Sequence, residues 1–225
     1  MDGTRTMPGT TAPQADVPRA QWVYESLREG IRTGTWRRGD RLREEMVART
    51  LGVSRTPVRE AFSRLQARGL LEVTASGLVV ATISRPQTLE LYAMREVLEG
   101  SAARFAAQHA APGEIDSLRQ LNGAFAAAGD DPARLAHLNR QFHGAILDAA
   151  RNRYLERMLE DLSDALALLP GTTFELPERR PLAVAEHAAI VEAMERRDAD
   201  AAEQAARAHI RAAQAARLDL MQRPG

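Results

Sequence analysis

Four polar side chains in the second half of the chain have the types and spacing of a metal shell. Asn139 and His143 stand four residues apart in a run whose apolar positions are Leu135, Leu138, Phe142 and Ile146. On a helix, both border that stripe from successive turns. His187 lies three residues after Val184 and four before Val191, and His209 lies among Ala202, Ala206, Ala213 and Ala216 at helical spacings. Three helical segments thus each aim one imidazole inward. Neutral imidazole ligates zinc, nickel or iron, so these residues read as candidate ligands of a divalent cation, with zinc or nickel expected. The competing reading is a polar core cluster in which each histidine has an ordinary hydrogen-bond partner. His109 and His137 have no such setting and read as surface residues.

A second constellation lies in the first third, at Ser54-Arg55-Thr56-Pro57-Val58-Arg59-Glu60. If Val58, Phe62 and Leu65 face a core, about 100° per residue turns Thr56, Arg59 and Ser63 outward. Arginine forks onto guanine O6 and N7 or onto phosphate. Hydroxyls and the free N–H groups at a helix start suit phosphate oxygens. The plainer alternative is a solvated set of surface charges.

The elements that would position these residues follow from periodicity. Residues 1–16 are rich in Thr, Pro, Gly and Asp and read as a disordered arm. Over residues 17–84 the order is helix, helix, turn, helix, hairpin. Val23, Leu27 and Ile31 mark the first helix, Leu42, Met46, Val47 and Leu51 the second, and Val58, Phe62 and Leu65 the third. Gly52 suits a helix C-cap, and two β-rich runs flank Ala75-Ser76-Gly77. Residues 85–222 read as six helices near 89–111, 114–128, 132–150, 153–169, 181–196 and 198–220, broken by Gly, Pro, Asn and Asp. The expected fold is mainly α: an N-terminal winged helix-turn-helix followed by a C-terminal all-α helical bundle.

Composition sets the outer limits. The chain has 225 residues, 44% hydrophobic and 27% charged, which is ordinary for a soluble globular protein. It has no cysteine, which excludes disulfides and thiolate chemistry and fits a reducing cytoplasm. No apolar run is long enough to span a membrane, and no secretory signal is expected. The net charge of zero hides an asymmetry: residues 1–84 hold 13 Arg against 9 acidic residues, and residues 85–225 hold 17 against 21. A basic first third joined to an acidic remainder suggests two modules, the first facing an anion such as nucleic acid.

The string Gly52-Val53-Ser54-Arg55-Thr56-Pro57-Val58-Arg59-Glu60-Ala61, with Gly34, Gly39, Arg41-Leu42 and Gly69-Leu70 around it, resembles the signature of the GntR family of bacterial transcription regulators. The resemblance implies a winged helix that binds operator DNA as a dimer. It also implies DNA contact at Arg55, Thr56, Pro57, Arg59 and the wing-tip Gly77. Family members often place a basic residue early in the preceding helix, where this chain has Glu44 and Glu45.

The second half resembles the FCD ligand-binding domain of the FadR-type subfamily. The matching residues are Arg95-Glu96-Val97-Leu98-Glu99, Phe142-His143, Asn152 with Leu155, Glu186-His187 with Ile190 and Ala193, and His209. That resemblance implies a metal on Asn139, His143, His187 and His209, with Asn139 departing from the usual Asp. An amide oxygen carries no charge, so the expected site binds metal more weakly or leaves it more electrophilic toward an anion. The resemblance further implies a small carboxylate effector beside the metal, with Arg95 as its arginine. The alternative for Arg95 is a plain ion pair to Glu99, four residues on.

The expectation is a homodimeric, ligand-responsive transcription regulator, acting as a repressor on a palindromic operator. Two alternatives stand beside it: a metal-dependent hydrolase or isomerase, and a DNA-binding dimer with no effector.

Overall fold

The computed structural model describes residues 17–223; the expected arm over residues 1–16 lies outside them. Its contacts divide into two units. One runs to Ile83 and includes Ser163–Leu169; the other comprises Ser84–Leu162 and the chain from Pro170 on.

In the first unit, helices α1 (Arg19–Arg32), α2 (Glu44–Leu51) and α3 (Arg55–Ala67) precede strands β1 (Leu71–Thr74) and β2 (Gly77–Val80). The turn between α2 and α3 is made by Gly52, at φ 65°, whose amide bonds back to the end of α2. That left-handed cap lets the chain reverse at once and set α3 against α2. Val23, Leu27 and Ile31 of α1 meet Val47 of α2 and Val58, Phe62 and Leu65 of α3 in one core. The strands pair antiparallel with Thr74 opposite Gly77, so Ala75 and Ser76 form the two-residue tip of the wing. Arg41 adds an isolated bridge to Val79.

The segment Ser163–Leu169 was expected to belong to the helical bundle, as the end of a helix over 153–169. It groups instead with the first unit. Leu168 joins that core, and the buried Asp164 carboxylate pairs with Arg28 at 2.7 Å and Arg68 at 3.3 Å.

The second unit is helical: α4 (Arg85–His109), α5 (Pro112–Ala126), α6 (Pro132–Ala150), α7 (Arg153–Ala167) up to Leu162, a short 3-10 turn (Thr173–Glu175), α8 (Arg179–Glu195) and α9 (Ala199–Gln222). Side-chain caps start several of them: Ser84 and Gln87 form a capping box on α4, Asp131 caps α6 and Asp198 caps α9. Ala102, Ala103, Ala106 and Ala107 of α4 share a core with Ala202 and Ala206 of α9. Small side chains let those two helices approach closely, and at Gly100 an added Cβ would meet Arg207 at 2.8 Å. Around this pair, Leu118, Phe142, Ile146, Ile190 and Met194 bring α5, α6 and α8 into the same core. No helix among the described residues is long and apolar enough to cross a membrane.

Candidate functional site

The three expected histidines converge. His143 on α6, His187 on α8 and His209 on α9 each offer a ring nitrogen, and these atoms lie within 4.8 Å of one another. The Nε2 atoms of His143 and His209 face each other at 3.1 Å. Their other nitrogens meet carboxylates: His209 Nδ1 is 2.7 Å from Glu186 Oε2, and His143 Nδ1 is 2.8 Å from Glu99 Oε2, off the line of a straight hydrogen bond. A carboxylate has no hydrogen to give, so His209 Nδ1 is the donor to Glu186 and His209 Nε2 keeps its lone pair for the centre.

His187 completes the group from within the core. It is 0% exposed, stacks on Phe142 with ring centroids 4.0 Å apart, and neither of its nitrogens has a hydrogen-bond partner among the described residues. Asn139 Oδ1 is likewise buried and unpartnered. A buried polar atom without a partner costs about 1–3 kcal/mol, so the two His187 nitrogens, which lie within the three-histidine group, are open to a ligand. Burial pushes both His187 and His209 well below the ordinary imidazole value. The neighbouring imidazoles push each further the same way. Neutral rings with exposed lone pairs are the form that binds a metal.

Arginines stand behind the carboxylates. Arg95 on α4 donates to Glu99 at 2.8 Å and lies over the Tyr92 ring, so it reaches the histidines through Glu99 rather than directly. Burial alone would raise the Glu99 carboxyl. The Arg95 charge, with His143 after it, outweighs burial and holds the group well below the usual carboxylate range. Arg179, at the first turn of α8, donates to Glu186 at 2.7 Å and lies 3.3 Å from His209 Nδ1. It is only 2% exposed, and its Nε and Nη1 have no partner among the described residues.

Sequence reasoning quoted Glu186 without giving it a role and gave Glu99 one only as the alternative ion-pair partner of Arg95, a pair the structure contains. Their signals were available: Glu186 adjoins His187, and Glu99 shares a helix face with Arg95. It missed Arg179 altogether, since the residue follows a Pro- and Gly-bearing stretch that gives no periodicity. His109 and His137 are exposed, as expected of surface residues.

In the first unit, α3 buries Val58, Phe62 and Leu65 and exposes Arg55, Thr56, Arg59 and Ser63. Pro57 is buried beside Val58 in the first turn of α3. Gly77 stands at the wing with φ 112°, and the Arg41 side chain packs over it, 3.1 Å from where a Cβ would be. Arg41 is a basic neighbour of the wing that sequence reasoning had used only as a flanking match. Glu44, at the start of α2, reaches across to α3. It accepts from Arg59 Nε at 2.9 and 3.0 Å and from Arg55 Nη2 at 3.1 Å, and Arg55 Nη1 donates to Glu45 at 3.1 Å. The bond to Arg59 lowers the Glu44 carboxyl and raises the Arg59 guanidinium.

Comparison with known proteins gives the same two parts. Residues 19–77 match the family described as bacterial regulatory proteins, gntR family, and residues 90–212 match the FCD domain. The uncharacterized HTH-type transcriptional regulator YdhC of Bacillus subtilis is 30% identical over 83% of this chain and 85% of its own length. A probable D-xylose utilization operon transcriptional repressor of Paenarthrobacter nicotinovorans is 33% identical over 77% of each chain. The Glc operon transcriptional activator of Escherichia coli K12 is 28% identical over 86% of this chain and 87% of its own. Among solved structures, McbR/YncC of E. coli has the same fold, with a TM-score of 0.78 at 23% identity over 92% of this chain and all of its own.

Proposed function

Because the chain belongs to the gntR family of bacterial regulatory proteins and carries an FCD domain, we propose that it is a repressor whose operator binding answers to a small carboxylate held at a metal centre. Transcription regulation through DNA is what the family does.

The observation that carries the ligand half is the pair of Nε2 atoms at 3.1 Å, backed by carboxylates on their far sides. Tetrahedral zinc with Zn–N bonds of about 2.0–2.1 Å sets its ligand nitrogens roughly 3.3 Å apart, so the two rings already fit a shared cation. His187 and the Asn139 oxygen, buried and unpartnered, complete a shell of three nitrogens and one oxygen. Imidazole nitrogen with amide oxygen suits zinc or nickel. When bound, the cation supplies a positive centre to which a carboxylate oxygen can attach.

The protein's own residues add selectivity for an anion. All four ligands are neutral, and Arg95 and Arg179 are balanced by Glu99 and Glu186. The charge of a divalent ion is therefore left over, and an acid effector answers it. The unpartnered Nε and Nη1 of Arg179 are donors suited to that acid, as is Arg95 on the opposite carboxylate.

The DNA half rests on the exposed face of α3, whose arginines and Thr56 stand where a recognition helix meets the major groove. One winged helix is a small contact surface. Two on a two-fold axis supply the affinity and read a palindrome. Repression then needs only occupancy of the operator. Ligand binding shifts the equilibrium between arrangements by its differential affinity for them.

Titrating metal-stripped protein with zinc, then with a panel of small mono- and dicarboxylic acids, and finally with promoter duplexes tests the three parts in turn. Zinc binding followed by zinc-dependent acid binding, and release of duplex by the same acid, is expected. Acid binding that ignores zinc overturns the metal-centred reading. Duplex binding that ignores every acid leaves a regulator without this effector class.

A further inference from the structure

We propose that Glu44 is a positioning residue for DNA reading: it holds the Arg59 guanidinium by one edge so that its fork is presented to a guanine. Three features of the α2–α3 pair support this. Glu44 is the less exposed of the two acids at the start of α2, at 26% against 69% for Glu45. Both of its oxygens lie on Arg59 Nε, at 2.9 and 3.0 Å. Arg59 stands one helical turn after Arg55 on the exposed face of α3, with its side chain 64% exposed beyond the carboxylate.

The choice of nitrogen matters. A carboxylate that takes Nε leaves Nη1 and Nη2 at the far end of the guanidinium plane. Those two donors form the fork that matches guanine O6 and N7. A free arginine must lose rotamer entropy to make that pair, and a side chain already fixed loses less. Arg55 is in the opposite condition: Nε and Nη2 are on Glu44, and Nη1 is on Glu45. All three of its nitrogens already bond carboxylates, which leaves two of its five N–H groups against four on Arg59, so base reading falls mainly to Arg59.

Glu44 also has a cost. It places a negative charge on a surface that meets phosphates, which weakens binding to any duplex. Loss of the carboxylate should therefore act in opposite directions on two observables. Affinity for unselected DNA holds or rises, while discrimination between sequences falls.

The proposal rests on the operator-binding reading, and the test separates the two. Full-length wild type, Glu44→Ala, Glu44→Gln, Arg59→Ala, Arg55→Ala and the double variant Glu44→Ala/Arg59→Ala are each put through selection from a randomised duplex pool. Binding to the enriched and to unselected duplex is then measured over a salt series. Circular dichroism and thermal melting check that each variant is folded. Wild type should enrich a motif. Glu44→Ala should lose about tenfold or more in discrimination per half-site, at the same base position as Arg59→Ala, since that is what one forked base contact supplies. Its affinity for unselected duplex should not fall. Glu44→Gln, which keeps an acceptor without the charge, should fall between. In the double variant the losses should not add, because both substitutions remove one contact. Full discrimination in Glu44→Ala, loss at a different base position, or additive losses overturns the positioning role. Failure of wild type to enrich any motif overturns the operator reading and this role with it.

Discussion

His143 on α6 and His209 on α9 turn their Nε2 atoms toward each other at 3.1 Å, while Glu99 and Glu186 take the opposite edges of the two rings. Two lone pairs do not rest at that distance unless a proton or a cation lies between them. A neutral ring that carries its hydrogen on Nε2 supplies the proton as an ordinary N–H···N bond, and the cation proposed above would take that proton's place.

If Glu186 sets the orientation of His209, removing its charge should loosen metal without removing a ligand. Glu186→Gln is expected to lower zinc affinity about 10–100-fold, the usual effect of losing a carboxylate behind a ligating imidazole. His209→Gln should lower it further. Calorimetric titration of the metal-stripped proteins checks both. Equal affinity in Glu186→Gln and wild type removes the orienting role.

In the proposed shell, Asn139 would supply an oxygen with no charge. Asn139→Asp adds a carboxylate at nearly the same volume and should tighten zinc or nickel binding. It should also weaken a carboxylate effector, because the local charge falls by one. In a polar cluster without metal, the same substitution buries an unpaired charge and costs stability whether or not metal is present. Melting the variant with and without zinc, beside titration with the acid panel, distinguishes these outcomes.

The depressed imidazoles make a pH prediction for the metal-free protein. In the unfolded chain His187 and His209 protonate near the ordinary value of 6.5; in the fold they stay neutral well below it. Above 6.5 neither state binds these protons and stability is unaffected through them. Below it the unfolded chain gains protons that the fold refuses, so stability falls by up to about 1.4 kcal/mol per pH unit for each histidine. Melts in chelator from about pH 8 to about pH 5 should show the decline, and His187→Phe should make it shallower. A melting temperature that is flat across the window in wild type contradicts the buried neutral state.

Gly77 is required by both its backbone and its neighbour. At φ 112° a side chain is strained, and a Cβ would press on Arg41. Gly77→Ala should destabilise the winged unit by about 1–3 kcal/mol and displace Arg41 from the wing. Denaturant unfolding and duplex binding measure the two effects. A variant as stable as wild type would show that the hairpin relaxes at no cost.

Much of this protein was legible before any coordinates. The outward set Thr56, Arg59 and Ser63 and the inward set Val58, Phe62 and Leu65 follow from one helical period. So does the inward aim of His143, His187 and His209, because each face is a local property of its own helix. Gly52 and the Ala75-Ser76 tip were equally local, being demands of the backbone on single residues.

What depends on how elements pack was not in the periodicity. Glu99 meets His143, and Glu186 and Arg179 meet His209, only because α4, α6, α8 and α9 come together at one axial level. That level is set by side-chain volumes, such as the alanines shared by α4 and α9, and not by the pattern of any one helix. Burial of Pro57, the grouping of Ser163–Leu169 with the first unit and the reach of Glu44 to Arg59 have the same origin. Sequence determined which face each residue occupies; tertiary structure decided which residue of another element stands opposite, because register between helices is a packing outcome.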